Sequence, residues 1–113
     1  MIQDHSFGKI VVNNTPFTSD IKIINGTVIP NWWRKRGHLV EVDDIQDILQ
    51  AKPKIVILGK GDPGLMKSSL SLRKSLQTNG IELIEENTPQ AIQRFNRLFK
   101  DGINIAAGFH ISC

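Results

Sequence analysis

A chain of 113 residues with 40% hydrophobic and 22% charged residues has the size and make-up of one ordinary globular domain, which excludes a disordered chain and leaves apolar material for a core that needs no staples. The formal net charge of +3 is small and dispersed, so it tilts the protein toward anionic partners without the broad basic stripe that nucleic acid requires. A single cysteine, Cys113, excludes an intrachain disulfide and fits a reducing compartment.

The chain starts Met1-Ile2-Gln3-Asp4-His5, with neither the basic-then-apolar run of a signal peptide nor the arginine-rich character of a transit peptide. No apolar run approaches the roughly 20 residues that span a bilayer, so a cytoplasmic protein is the simplest expectation. Phe7 to Val12 reads as a strand ending at Asn13-Asn14, two residues that tolerate positive φ and suit a hairpin turn. Thr15 to Thr18 returns, and Pro16 confines it to an edge because proline has no N–H to donate. Asp20-Ile21-Lys22-Ile23 alternates polar and apolar, Asn25-Gly26 is the strongest short hairpin signal, and Thr27-Val28-Ile29 runs back until Pro30. These runs predict two consecutive hairpins, an N-terminal antiparallel β-meander.

Next comes Asn31-Trp32-Trp33-Arg34-Lys35-Arg36-Gly37-His38. Two readings stand for it. Arg34, Arg36 and His38 beside the indoles offer planar donor forks and aromatic faces to an anionic or planar ligand. Alternatively, Trp33 is core and the cations form a solvated turn. The doubled tryptophan also suits a homodimer contact, since aromatic residues and arginine are enriched at interface centres. Leu39 to Val42 is a short strand or a lead-in to a helix. Asp43 is the expected cap of that helix, with Gln46 completing a capping box. Ile45, Ile48 and Leu49 give it an inward face, and Pro53 ends it.

Lys54 to Gly59 carries the apolar run Ile55-Val56-Ile57-Leu58, the pattern of a strand buried on both faces. A second helix follows, capped by Ser69 or Ser71, with Leu70, Leu72 and Leu76 as its apolar residues and Gly80 at the left-handed stop. Ile81, Leu83 and Ile84 form the next strand. Thr88-Pro89 reads as a hydroxyl cap with proline in the first turn, and Ile92, Phe95 and Phe99 share one face of the third helix until Gly102. Ile103 to Phe109 is the last strand, where Ala106, Ala107 and Gly108 leave so little volume that another element must pack closely. Strand–helix–strand–helix–strand order favours parallel neighbours and right-handed connections. The expected fold class is therefore α/β: one compact three-layer domain over residues 1–113, a mixed sheet with three helices, and the meander at one side.

Gly59-Lys60-Gly61-Asp62-Pro63-Gly64 matches G-x-G-x-x-G, follows a strand, and has Glu85 where a ribose-binding acid belongs. A dinucleotide fits poorly. The third glycine should lie inside a helix, yet Pro63 precedes Gly64, the helix caps come later, and the domain is too short for two mononucleotide halves. What remains is a tight loop that holds a small anion, a phosphate or nucleotide fragment, through backbone N–H groups, or a turn that needs positive φ. The anion reading requires Arg34 or Arg36 to converge with Lys60 and His110 on the loop, and His110 is placed for this by ending a strand. His110 and Cys113 invite a cysteine–histidine nucleophile, but a chain-terminal cysteine lacks the rigid setting one needs. The three histidines are far apart, no Cys/His pair has zinc spacing, and no serine sits in a G-x-S-x-G elbow. The expectation is thus no catalytic residue, metal or cofactor, with Trp33, Arg34, Arg36, Gly59, Lys60, Gly61, Gly64 and His110 as candidate ligand-binding residues.

Several signatures together carry a family resemblance: Phe7-Gly8-Lys9-Ile10, Trp33-Arg34-Lys35-Arg36-Gly37-His38, Ile57-Leu58-Gly59-Lys60-Gly61, Asn87-Thr88-Pro89-Gln90-Ala91 with Phe95-Asn96, and the closing Ala106-Ala107-Gly108-Phe109-His110-Ile111-Ser112-Cys113. Nearly end to end, the chain resembles a domain-of-unknown-function family that includes mitochondrial respiratory complex I assembly factor three and the adipogenesis-associated domain protein. The resemblance implies a compact three-layer α/β domain around a mixed sheet with an additional β layer. It also implies a role in binding protein partners during assembly, without a defining catalytic activity.

Overall fold

Ile55–Gly59 is buried along its whole length, as its unbroken apolar run requires, and the rest of the molecule is layered about it. The structure is a computed structural model that describes residues 1–113. In chain order its strands and helices are β1 Ile2–Ser6, β2 Lys9–Val12, β3 Thr15–Phe17, β4 Ile21–Ile24, β5 Thr27–Ile29, β6 Leu39–Val40, α1 Gln46–Gln50 after a 3-10 turn, β7 Ile55–Gly59, β8 Lys67–Ser68, α2 Leu70–Thr78, β9 Glu82–Glu86, α3 Thr88–Lys100 and β10 Ile105–Phe109. The main sheet has the order β5-β4-β10-β7-β9. β7 pairs in parallel with both β9 and β10, and β4 pairs antiparallel with β10, so the sheet is mixed.

Period-two alternation sorts the sheet's side chains to two cores. Ile55, Ile57, Ile105, Ala107 and Phe109 face α3, whose Ala91, Ile92 and Phe95 they meet, together with Ile2, Ile10 and Val12 of the N-terminal sheet. Val56, Leu58 and Ala106 face the other way, onto Ile45, Ile48, Leu72, Leu76 and Trp32. The chain runs from β7 through α2 to β9, then back through α3 to β10 on the other side of β7. Crossovers of one hand that reverse direction place their helices on opposite faces, which gives the three layers.

Both asparagine turns form as expected. Asn13 and Asn14 have φ of 50° and 66°, and Asn25 and Gly26 have 51° and 75°. β3, with Pro16, is an edge strand. The meander is not continuous, however. β1, β2 and β3 form a separate three-stranded sheet, while β4 and β5 join the main one. β1 left no trace in the hydrophobic pattern, because only Ile2 of its five residues is buried and it is a strand through pairing with β2 alone. The caps also shifted. Glu41 and Asp44 make the capping box of the 3-10 turn expected of Asp43 and Gln46, and Asn87 takes the cap position of α3 expected of Thr88. Ser69 caps α2, its hydroxyl accepting from Leu72 N.

The close approach expected at Ala106–Gly108 is made by Trp32. A Cβ on Gly108 would lie 2.6 Å from two atoms of the Trp32 ring. Trp32 is 5% exposed, and its indole N–H donates to Asp44 O at 2.9 Å. Gly108→Ala should therefore cost about 1–3 kcal/mol by overpacking, read as a lowered urea midpoint. Gly37→Ala meets open space and should leave the midpoint unchanged. Equal effects of the two would remove Trp32 as the reason for the glycine.

Candidate functional site

The carboxyl ends of β7 and β9 are the place where outgoing connections diverge to opposite faces, one to α2 and the other to α3. Open α/β sheets keep ligands in the crevice that this divergence leaves. In this protein the crevice is filled by the chain's own last residues. Gly61 N donates to Thr88 Oγ1 at 2.8 Å, Thr88 N donates to Gly61 O at 3.0 Å, and Thr88 Oγ1 donates to His110 O at 2.6 Å. Asp62 N donates to Ser112 O at 2.8 Å, and Leu65 N to Cys113 O at 2.9 Å. Lys60 N and Met66 N donate to Glu86 O and Lys60 O. The N–H groups of Lys60, Gly61, Asp62 and Leu65 thus face oxygens of the protein itself, and Gly64 N has no such partner.

Most of the N–H groups expected to cradle an anion in the loop are therefore already taken. Each of its glycines answers a neighbour. A Cβ on Gly59 would come within 2.7 Å of the Phe109 ring and 3.0 Å of Thr88 Oγ1. One on Gly61 would sit 2.5 Å from Ser112 O and 2.8 Å from the His110 ring, and Gly64 has the Asn87 amide against it. Gly61 and Gly64 also have φ of 93° and 105°. Both a close approach and a left-handed backbone therefore call for glycine here.

Around the last residues lies the one charged cluster that is mostly buried. Asp20, at the start of β4, accepts from Arg34 Nη2 at 2.7 Å and from His110 Nδ1 at 2.8 Å on the same oxygen, and from Ile111 N at 2.8 Å on the other. Because Asp20 is an acceptor, His110 carries its proton on Nδ1. The 3.3 Å approach of Arg34 Nη2 to that nitrogen is then two donors converging on one oxygen. His110 Nε2 lies 3.4 Å from Ser112 Oγ, and its ring meets His38 edge-on at 5.4 Å. Arg34 also donates from Nε and Nη2 to Gly37 O, closing the loop on itself, and its guanidinium stands 4.4 Å over Trp32. Its Nη1 is buried with no partner.

Burial by itself works to raise the pKa of Asp20. The hydrogen bonds from His110, Arg34 and Ile111 N, with the charge of His110, outweigh it and hold the carboxyl below its ordinary 3.8. Arginine stays charged at any working pH, so Asp20 and Arg34 neutralise each other and the cluster offers little net charge to an anion.

The candidate residues separate accordingly. Arg34, His110, Gly59 and Gly61 come together in one buried region at the carboxyl ends of β7 and β10. Trp33, at 79% exposed, and Arg36 point to solvent from the loop that Arg34 closes, and Lys60 is half-buried beside Gly61. The core tryptophan is Trp32, so of the two readings of this segment the one that buried Trp33 does not hold. In an extended segment neighbours face opposite ways, and Asp20 O fixes the parity by accepting from Trp32 N at 2.9 Å. Sequence reasoning missed Asp20 and the double role of Thr88. The available signal for Asp20 was that a buried arginine demands an acid, yet that acid is 14 residues from Arg34 and 90 from His110. No group of three or more His, Cys, Asp or Glu is gathered that could hold a metal ion.

A hollow of about 150 Å³ opens beside this region, lined by His5, Phe7, Asp62, Pro89 and Ser112 among others. His5 Nε2 is 3.1 Å from Ile111 O, which also accepts from Gly8 N at 2.8 Å, so the N-terminal sheet grips the final residues from the other side.

Comparison with known proteins matches residues 2–110 to a family model described as protein of unknown function (DUF498/DUF598). Among solved structures, the chain is similar to a conserved hypothetical protein from Pyrococcus horikoshii, with a TM-score of 0.85 at 20% identity over 100% of this chain and 99% of that one. A protein named MT938 gives a TM-score of 0.81 at 23% identity, covering 100% and 98%. A Bartonella henselae protein described as an outer membrane protein gives 0.85 at 19% identity, covering 99% and 94%. At these identities the likeness is one of fold. No helix of the present chain is long and apolar enough to cross a membrane.

Replacing Asp20 by Asn leaves Arg34 buried without its counter-ion and is expected to cost about 2–3 kcal/mol, below the usual figure for a fully buried pair because Asp20 keeps 14% of its side chain exposed. The stability that Asp20 supplies is complete above the ordinary carboxyl value and is lost as pH falls through its lowered folded-state value. Urea unfolding between neutral and acid pH should therefore show a shallower acid decline for Asp20→Asn than for the parent. Matching declines would place the acid response in other carboxylates.

Proposed function

The chain belongs to the DUF498/DUF598 family of proteins of unknown function, and from that premise we propose that it is a non-catalytic binding module, an assembly accessory that docks a protein partner on the aromatic end of the molecule. One observation carries the reading: Trp33 is 79% exposed while both of its neighbours, Trp32 and Arg34, are 5% and 6% exposed. A large indole is thus held out in water on a backbone pinned at both sides, so little backbone freedom is left to lose when a partner covers it. Lys35 and Arg36 follow it to the surface and give the polar rim that such anchors have. Phe7 and Leu65, also exposed, belong to segments tied to the same last residues, Phe7 through Gly8 N to Ile111 O and Leu65 through its own N–H to Cys113 O. Tryptophan and arginine are the residue types that dominate interface energetics.

A second reading, binding of a small anion, draws support from the unpartnered Arg34 Nη1, with Arg36 in the same loop and His38 against the His110 ring. The glycine loop contributes little to it, since the N–H groups of Lys60, Gly61, Asp62 and Leu65 are already engaged.

Trp33→Ala is expected to abolish crosslinked recovery of a partner, or weaken measured binding by at least about tenfold, while leaving thermal stability nearly unchanged because the indole packs on nothing. Undiminished recovery with Trp33→Ala would sink the docking surface. A thermal-shift series with phosphate and sulfate separates the second reading. A ligand at a hundredfold excess over its Kd adds roughly 2.7 kcal/mol, and a flat series removes the anion.

A further inference from the structure

The main sheet ends on one side at β9, a strand that pairs only with β7. Glu82 N donates to Lys54 O at 3.1 Å, and Glu86 O accepts from Lys60 N at 2.9 Å. In a parallel ladder only alternate residues turn their backbone groups to the same neighbour. Glu82, Ile84 and Glu86 therefore bond inward to β7, and the N–H and C=O groups of Leu83 and Glu85 point outward. Neither residue exchanges a backbone bond with any loop or turn.

The two faces of this edge differ. On the α2 side a groove of about 350 Å³ runs beside the strand, floored by Leu76, Ile81 and Leu83 and flanked by Arg73, Gln77 and Glu85. Glu85 is occupied there: both of its oxygens accept from Ser68, and Arg73 Nη1 donates to Ser68 O at 2.6 Å. On the α3 side, Glu82, Ile84 and Glu86 line the edge. Glu86 is paired with Arg94 through two hydrogen bonds, whereas Glu82 is exposed and pairs with no side chain.

We propose that the β9 edge accepts an extended segment of a partner protein in which apolar and basic residues alternate. Backbone pairing with Leu83 and Glu85 adds a sixth strand, the mode by which sheets capture peptides in general. Side chains of the incoming strand point alternately to the two faces. Those on the α2 side enter the apolar groove, and a basic one on the α3 side meets Glu82, the acid there with no side-chain partner. A second copy of this chain fits less well. Antiparallel self-pairing centred on Ile84 sets Glu82 opposite the partner's Glu86 at both ends, and like charges directly opposite are destabilising.

The test uses the full chain and an acetylated, amidated peptide of alternating Val and Lys, titrated to roughly millimolar concentration while backbone amide resonances are followed. The proposal expects saturable shifts led by the Leu83 and Glu85 amides. It also expects binding weakened by about fivefold in Glu82→Lys, and a gain for the matching Val/Glu peptide in that variant. Glu82 is exposed, so the substitution does not threaten the fold. Absence of saturable shifts at those amides, or an unchanged affinity in Glu82→Lys, overturns the proposal. So does a dimer in sedimentation that loses the shifts on dilution, which would give the edge to a second copy. Trp33→Ala should leave these shifts untouched, so failure here and failure of the aromatic docking surface are read separately.

Discussion

A single carboxylate gathers three distant parts of the chain onto its two oxygens. Asp20 holds the guanidinium that closes the 34–37 loop, the imidazole at the end of β10, and the backbone N–H of the residue after it. Charge-assisted hydrogen bonds of this kind are the stronger ones, and a partly desolvated carboxylate with three donors is well compensated. Removing the acid would leave a guanidinium, already short of one partner at Nη1, buried against Trp32. The network locks the final residues in place. His110 is turned toward Asp20, and Arg34 uses its charge on the same oxygen.

That lock determines what becomes of the crevice at the ends of the parallel strands. In doubly wound folds the glycine-rich turn after a central strand commonly offers its N–H groups to a ligand. Residues 110–113 lie there instead, and their carbonyl oxygens accept from the N–H groups of Asp62 and Leu65. Thr88 completes the closure by bridging Gly61 and His110 through one hydroxyl. The G-x-G-x-x-G match is therefore a consequence of close chain-on-chain packing. The same demand for backbone approach that makes glycine suit a pyrophosphate makes it suit a polypeptide.

The two surfaces proposed for partner binding have opposite character. One is the loop in which Trp32 and Arg34 are anchored and Trp33 is displayed. The other is the open edge of β9, with the unpaired Glu82 on one face and a groove on the other. Both depend on the main sheet being fixed. The loop rests on Gly108 and Asp44 through the Trp32 ring and its indole N–H, and the edge exists because α3 carries the chain away to β10 and leaves β9 with one neighbour. A rigid platform limits what ordering costs when a partner binds.

Local chemistry wrote much of this into the sequence. The run Ile55–Leu58 specified a strand buried on both faces, Asn13-Asn14 and Asn25-Gly26 specified turns through their tolerance of positive φ, and Ser69, Gly80 and Gly102 marked helix ends. These signals act within a few residues, where sterics and hydrogen bonding to the near backbone decide the conformation. The small residues 106–108 even announced a close approach without naming what approaches. Tertiary structure alone decided that Trp32 and not Trp33 is the core ring, that Ile2–Ser6 is a strand, and that the two hairpins belong to different sheets. It also decided that the glycine loop is covered by the chain's own end. Each of those depends on a partner far away in sequence, such as Asp20 for His110 or Ser112 for Asp62, and a long-range hydrogen bond leaves no periodicity in the residues that make it.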